Sequence, residues 1–68
     1  MKFPERLHNL RNQRGLSQAQ LARDIGAHPM SIGNYERGNR YPSVLTLCCL
    51  AEFFGVSTDY LLGRTDKM

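Results

Sequence analysis

The sequence predicts an all-α domain, and two patterns carry that prediction. Apolar residues recur at helical spacing, as in Phe3, Leu7 and Leu10. Serines at N-cap positions (Ser17, Ser43, Ser57) and glycines at stops (Gly15, Gly26, Gly55, Gly63) divide the chain into short segments. A chain of 68 residues makes one domain with a modest core.

The first helix is expected to begin at Pro4, whose missing N–H needs no partner in a first turn. Phe3, Leu7 and Leu10 form its inner stripe, and Gly15 ends it. Ser17 caps the second helix, with Gln20 three residues on at capping-box spacing. Leu21, Ala22 and Ile25 then share one face until Gly26 stops the helix. The third is expected to start near His28, with Pro29 in its first turn. At 100° per residue, Ile32 and Tyr35 point inward, whereas Met30, Gly33, Asn34 and Arg37 point out, with Pro29 at the exposed leading end.

Small Ala22, a glycine turn at Gly26 and apolar anchors at Ile32 and Tyr35 together form a helix-turn-helix signature. Ala22 permits a close, steep helix crossing, and Gly26 tolerates positive φ. A helical hairpin with no other role shares single features of this set.

The stretch GNRYP from Gly38 to Pro42 is rich in turn formers, and its N–H groups with Arg37 and Arg40 suit phosphate. Ser43 caps the fourth helix and Gly55 stops it. Its core face is expected to be Val44, Leu47, Cys48, Ala51 and Phe54, with Leu50 at the margin. Ser57 caps the fifth helix, in which Tyr60 and Leu61 close the core. Residues 1–63 form the domain, and the tail from Arg64 to Met68 is expected to fray.

Net charge is +3, unevenly spread. Through Arg40, Lys2, Arg6, Arg11, Arg14, Arg23, Arg37 and Arg40 outnumber Glu5, Asp24 and Glu36. Beyond it, Glu52, Asp59 and Asp66 outnumber Arg64 and Lys67. A basic half holding the helix pair fits a polyanionic partner, although a solvated basic surface has the same composition. Cys48 and Cys49 are neighbours on a helix and poor partners for one another, so they read as thiols of a reducing compartment. MKFPERLHNL lacks the apolar core of a signal peptide and no run is long enough to cross a membrane, so a cytoplasmic location is expected. No catalytic set, phosphate loop or nucleophile motif is present, and neither His8 nor His28 has a carboxylate or cysteine at ligand spacing. No enzymatic activity, cofactor or metal is expected.

Three stretches, ERLHNLRNQRGLSQAQLA, SIGNYERGNRYPS and LAEFFGVSTDYLLG, resemble the Cro/cI-type helix-turn-helix family of phage and bacterial repressors. They cover the chain from about Glu5 to Gly63. The resemblance implies a compact five-helix repressor-like bundle whose second and third helices read DNA. It gives Gln18 a phosphate contact and makes Arg11 and Glu36 a largely buried ion pair tying the first helix to the reading helix. With the outward face of the third helix and the GNRYP loop, the expected phosphate set is Ser17, Gln18, Arg37, Asn39 and Arg40, and the expected base-reading set is Pro29, Met30, Gly33 and Asn34. Asn34 has the amide chemistry to pair with adenine, and Met30 or Pro29 the apolar surface to meet a thymine methyl. Family members usually carry polar residues where this chain has Pro29 and Met30.

The expected function is sequence-specific binding of double-stranded DNA by a transcriptional regulator of repressor type. The alternative is a protein-interaction module, antitoxin-like or adaptor, which the exposed Pro29 and Met30 keep open. Leu45, Cys49 and Phe53 form a second apolar stripe on the fourth helix, where family members usually carry charged or small residues. Burial between two copies would make a homodimer on a palindromic operator. Cover by the tail, or simple tolerance of exposed apolar surface, accounts for the same stripe without a dimer. The chain has no room for a sensor domain, so a signal is expected to act through a regulatory protein partner or a further domain.

Overall fold

A computed structural model describes residues 2–68, so residue 1 of the expected domain lies outside the described residues. Five helices follow in order: α1 (Phe3–Gln13), α2 (Gln18–Asp24), α3 (Ser31–Glu36), α4 (Val44–Phe54) and α5 (Thr58–Leu62). The described residues contain no strand. α1 runs through the middle of the fold, packing on α3 and α5, while α2 packs on α3 and α4 on α5.

α1, α2, α3 and α5 give the core the residues their spacing dictates. α1 supplies Phe3, Leu7 and Leu10, α2 Leu21 and Ala22, α3 Ile32 and Tyr35, and α5 Leu61. Phe3 meets Tyr35 edge-on, with ring centroids 6.1 Å apart. Burial of one such large side chain contributes roughly 1.5–3 kcal/mol. Caps set the helix ends: the hydroxyls of Ser17, Ser43 and Ser57 accept from the N–H groups of Gln20, Thr46 and Tyr60.

The helix bounds, the register of α4 and the tail depart from expectation in four places. α1 begins at Phe3, one residue before Pro4, which stays inside the first turn. α3 begins only at Ser31. Residues 28–31 instead form a tight turn, in which Ser31 N–H donates to His28 C=O at 2.9 Å and Met30 N–H to His28 Nδ1 at 3.1 Å. Pro29 occupies the second position of that turn, which suits its fixed φ.

The third departure is the register of α4. Leu50 is fully buried, with Ala51 and Phe54 beside it and Leu47 packed against them, whereas Val44 is 76% exposed and Cys48 is exposed. The core face is therefore turned by about half the 100° step from one residue to the next. Only Thr46 and Glu52 are polar in VLTLCCLAEFF, so apolar periodicity cannot select a face.

The tail is the fourth, because it is tied down rather than frayed. Arg6 Nη1 donates to Tyr60 C=O at 2.6 Å and to Thr65 C=O at 2.5 Å, and Nη2 to Asp66 Oδ1 at 2.6 Å. The Arg6 guanidinium also stacks 4.1 Å over the Tyr60 ring. Ser57 N–H donates to Met68 C=O at 2.8 Å. The turn into the tail needs Gly63, whose φ is +79° and whose Cα faces Lys2 so closely that a Cβ would lie 2.8 Å from Lys2 Cβ.

Candidate nucleic-acid interface

The α2–α3 pair is built from short-range rules. A complete capping box starts α2: Ser17 Oγ accepts from Gln20 N–H at 3.0 Å, and Gln20 Oε1 accepts from Ser17 N–H at 2.8 Å. Gly26, at φ +71°, turns the chain, and Ala27 N–H closes the turn on Ala22 C=O at 2.8 Å. Ala22 and Ile32 are fully buried. Small Ala22 lets α2 and α3 approach, and Ile32 anchors α3 against the core.

Glu36 ties the pair to α1. Its Oε2 accepts from Arg11 Nε at 2.6 Å, and its Oε1 from Arg11 Nη2 at 3.0 Å, a bidentate pair. The two side chains are 11% and 6% exposed. Arg11 Nη1 donates to Leu16 C=O at 2.7 Å, so the same guanidinium also fixes the loop entering α2. Gln18 Nε2 donates to Glu36 Oε1 at 3.2 Å, which joins the first residue of α2 to the end of α3. Burial alone would push the Glu36 carboxyl up. Hydrogen bonds from Arg11, His8 and Gln18, with the Arg11 charge, hold it below the usual carboxylate range. The bond to Glu36 raises the Arg11 guanidinium above its ordinary value against the opposing effect of burial.

His8 belongs to this network, although its side chain is half exposed. Its Nδ1 lies 2.9 Å from Glu36 Oε1 and its Nε2 2.9 Å from Asn12 Nδ2. A carboxylate only accepts and an amide nitrogen only donates, so Nδ1 donates to Glu36 and Nε2 accepts from Asn12. The signal was present in the sequence: His8, Arg11 and Asn12 stand at i, i+3 and i+4, one face of a helix.

Outside this frame lies an exposed edge. Pro29 and Met30 are exposed, Met30 by 61%, and Asn34 is half-buried. Arg37, Gly38, Asn39 and Arg40 are exposed in turn, with Asn39 N–H bonded to Asn34 C=O at 3.0 Å. Among the described residues, no carboxylate pairs with Arg37 or Arg40. Ser17 is exposed and Gln18 half-buried beside Gly33. Gly33 itself is not open surface: the Gln18 and Arg37 side chains bury it. On α4, Leu45 is 79% exposed and Cys49 is exposed, and Phe53 is half-buried, edge-on to Phe54 and under the Arg14 guanidinium. The described residues contain no cluster of metal-ligating side chains and no helix long and apolar enough to cross a membrane.

A capped helix, a glycine turn and a second helix clamped by a buried ion pair, with cations along the outer edge, define a nucleic-acid-reading helix pair. The chain belongs to the helix-turn-helix family, in its Cro/cI-type branch: the model of that family matches residues 7–61. It is 39% identical over 93% of its length to the transcriptional activator BcrR of Enterococcus faecalis, covering 31% of that protein. It is likewise 39% identical over 94% of its length to the cryptic phage CTXphi transcriptional repressor RstR of Vibrio cholerae, covering 57% of it. The crystal structure of a transcriptional regulator from Listeria innocua superposes at a TM-score of 0.86 with 29% identity, over 97% of this chain and 62% of that one. The chain thus spans about a third to three-fifths of the length of these relatives.

Proposed function

We propose that this domain binds double-stranded DNA sequence-specifically, as the reading part of a transcriptional regulator of repressor type. The observation that carries the reading is the clamp on Glu36. It fixes α2 and α3 as one rigid unit and leaves a single exposed edge bearing Met30, Asn34 and the unpaired cations. α3 enters the major groove, where Asn34 meets an adenine edge and Pro29 and Met30 meet a thymine methyl. Ser17, Gln18, Asn39 and Arg40 hold the flanking phosphates and so set the register. Two copies related by a two-fold axis bind a palindromic operator through the exposed side of α4. The phage repressor RstR is one relative of repressor type, and the equally similar BcrR is an activator.

Titration of duplex DNA at several salt concentrations tests this reading. Affinity is expected to fall steeply with salt, because each neutralised phosphate releases counterions. Arg40→Ala should weaken binding evenly on all sequences and reduce the salt slope by about one. No measurable affinity at low salt, or an affinity indifferent to salt, overturns the DNA reading and favours a protein partner.

A further inference from the structure

Gly33 lies inside α3, where glycine costs helix stability, so its presence asks for a reason. The space its side chain would fill is already occupied. A Cβ at Gly33 would lie 3.1 Å from Arg37 Nη1, 3.7 Å from Arg37 Cζ and 3.1 Å from Gln18 Oε1. Arg37 Nη2 donates to Asn34 Oδ1 at 2.8 Å. The guanidinium is therefore folded back along α3, over bare backbone, with Asn34 on one side and Gln18 on the other. Gln18 is itself held by Glu36, so one wall of this trough is fixed from the core.

We infer that Arg37 reads a base, and that the base is guanine. The inference rests on the DNA-binding reading above and reassigns Arg37 from the phosphate set expected from sequence. A phosphate needs only a cation at roughly the right place. A guanidinium laid over Gly33 and oriented by a hydrogen bond to Asn34 instead presents its planar fork of donors. That fork matches the N7 and O6 acceptors of guanine in the major groove. The Asn34 carbonyl oxygen has a second lone pair, so accepting from Arg37 leaves its adenine pairing possible: Nδ2 donates to N7 and Oδ1 accepts from N6. The two side chains then read neighbouring base pairs as one unit, with guanine beside the base pair that Asn34 meets. Gly33 favours this arrangement, because a Cβ there would lie 3.1 Å from Arg37 Nη1 and Gln18 Oε1 and would crowd the guanidinium out of its place.

Selection from a random-site duplex library, followed by competition titration on single-base variants, tests the inference with the 68-residue chain and two variants. Arg37 is exposed, so Arg37→Ala should keep the fold, which circular dichroism checks. The wild type is expected to enrich a guanine in each half-site. Arg37→Ala should flatten that position alone and lose about ten- to a hundredfold of its discrimination. Gly33→Ala, which keeps the arginine but fills its trough, should weaken the same preference and leave the other positions standing. An Arg37→Ala logo identical to wild type, with affinity lowered evenly on all duplexes, overturns the inference and returns Arg37 to the phosphate set. Failure of the wild type to enrich any sequence overturns the DNA-binding reading itself. Gly33→Ala with an undiminished guanine preference overturns the role given to the bare helix surface.

Discussion

Glu36 accepts from three side chains on two helices, and Arg11 from α1 commits two of its donors to it. With one partner removed, the other becomes a charge held away from water. Arg11→Ala should cost about 3–5 kcal/mol, the scale for breaking a buried pair. Chemical denaturation reads this directly, and a loss no larger than that of an ordinary surface substitution would mean the pair does not matter to the fold. The pH dependence has a definite sign. The Glu36 carboxyl is held below its ordinary value in the folded state, so its contribution is present above the unfolded pKa, near 4.3. It is lost as pH falls through the lower folded value. Stability should therefore decline on the acid side, and Glu36→Gln should flatten that limb while lowering stability at neutral pH. Urea midpoints measured from about pH 3 to about pH 7 for both proteins decide it.

Helix boundaries and faces were legible wherever one residue type forces one conformation. The Ser17, Ser43 and Ser57 caps and the glycine stops satisfy that condition, and α2 and α5 follow from them. α4 does not, because apolar residues surround it and only packing selects Leu50 over Val44. The start of α3 was displaced by a turn that needs the His28 side chain as an acceptor, which spacing does not reveal. The Arg11–Glu36 contact follows from family resemblance and not from either residue alone, whereas the places of His8 and Gly33 depend on neighbours distant in sequence. Arg6 is the plainest omission. As a basic residue on a first helix it looks like solvent-facing charge, yet it bonds two carbonyls and Asp66 of the tail. Arg6→Ala should release residues 64–68 and cost about 1.5–3 kcal/mol, the range for hydrogen bonds to charged groups. Faster hydrogen exchange at Ser57 N–H, which the Met68 carbonyl now covers, would show the release. Gly63→Ala attacks the same junction from the backbone. Left-handed φ alone costs roughly 1–2 kcal/mol, and the close approach to Lys2 adds to it. A thermal melt unchanged by that substitution would mean the junction relaxes freely.

At the scale of the whole molecule, the remaining matter is the uncovered side of α4. The tail is bound against α1 and α5, so it does not account for Val44 and Leu45, which are 76% and 79% exposed. Phe53, expected to extend the stripe, is instead half-buried beneath Arg14. The open apolar surface is therefore shorter than the sequence suggests and shifted toward the start of α4: Val44, Leu45, Cys48 and Cys49. A two-fold axis through that surface would bury it against its own copy. It would also put the two α3 helices on one face of the duplex, where half-sites recur about every 34 Å. Leu45→Glu places a charge in the centre of this surface and removes nothing from the core, so the fold should survive. The variant should sediment as a monomer over concentrations at which the wild type self-associates, and should bind a palindromic operator more weakly while keeping its affinity for an isolated half-site. Equal sedimentation of the two proteins, alone and on operator, would dismiss the α4 interface and leave the reading edge of α2 and α3 unaffected.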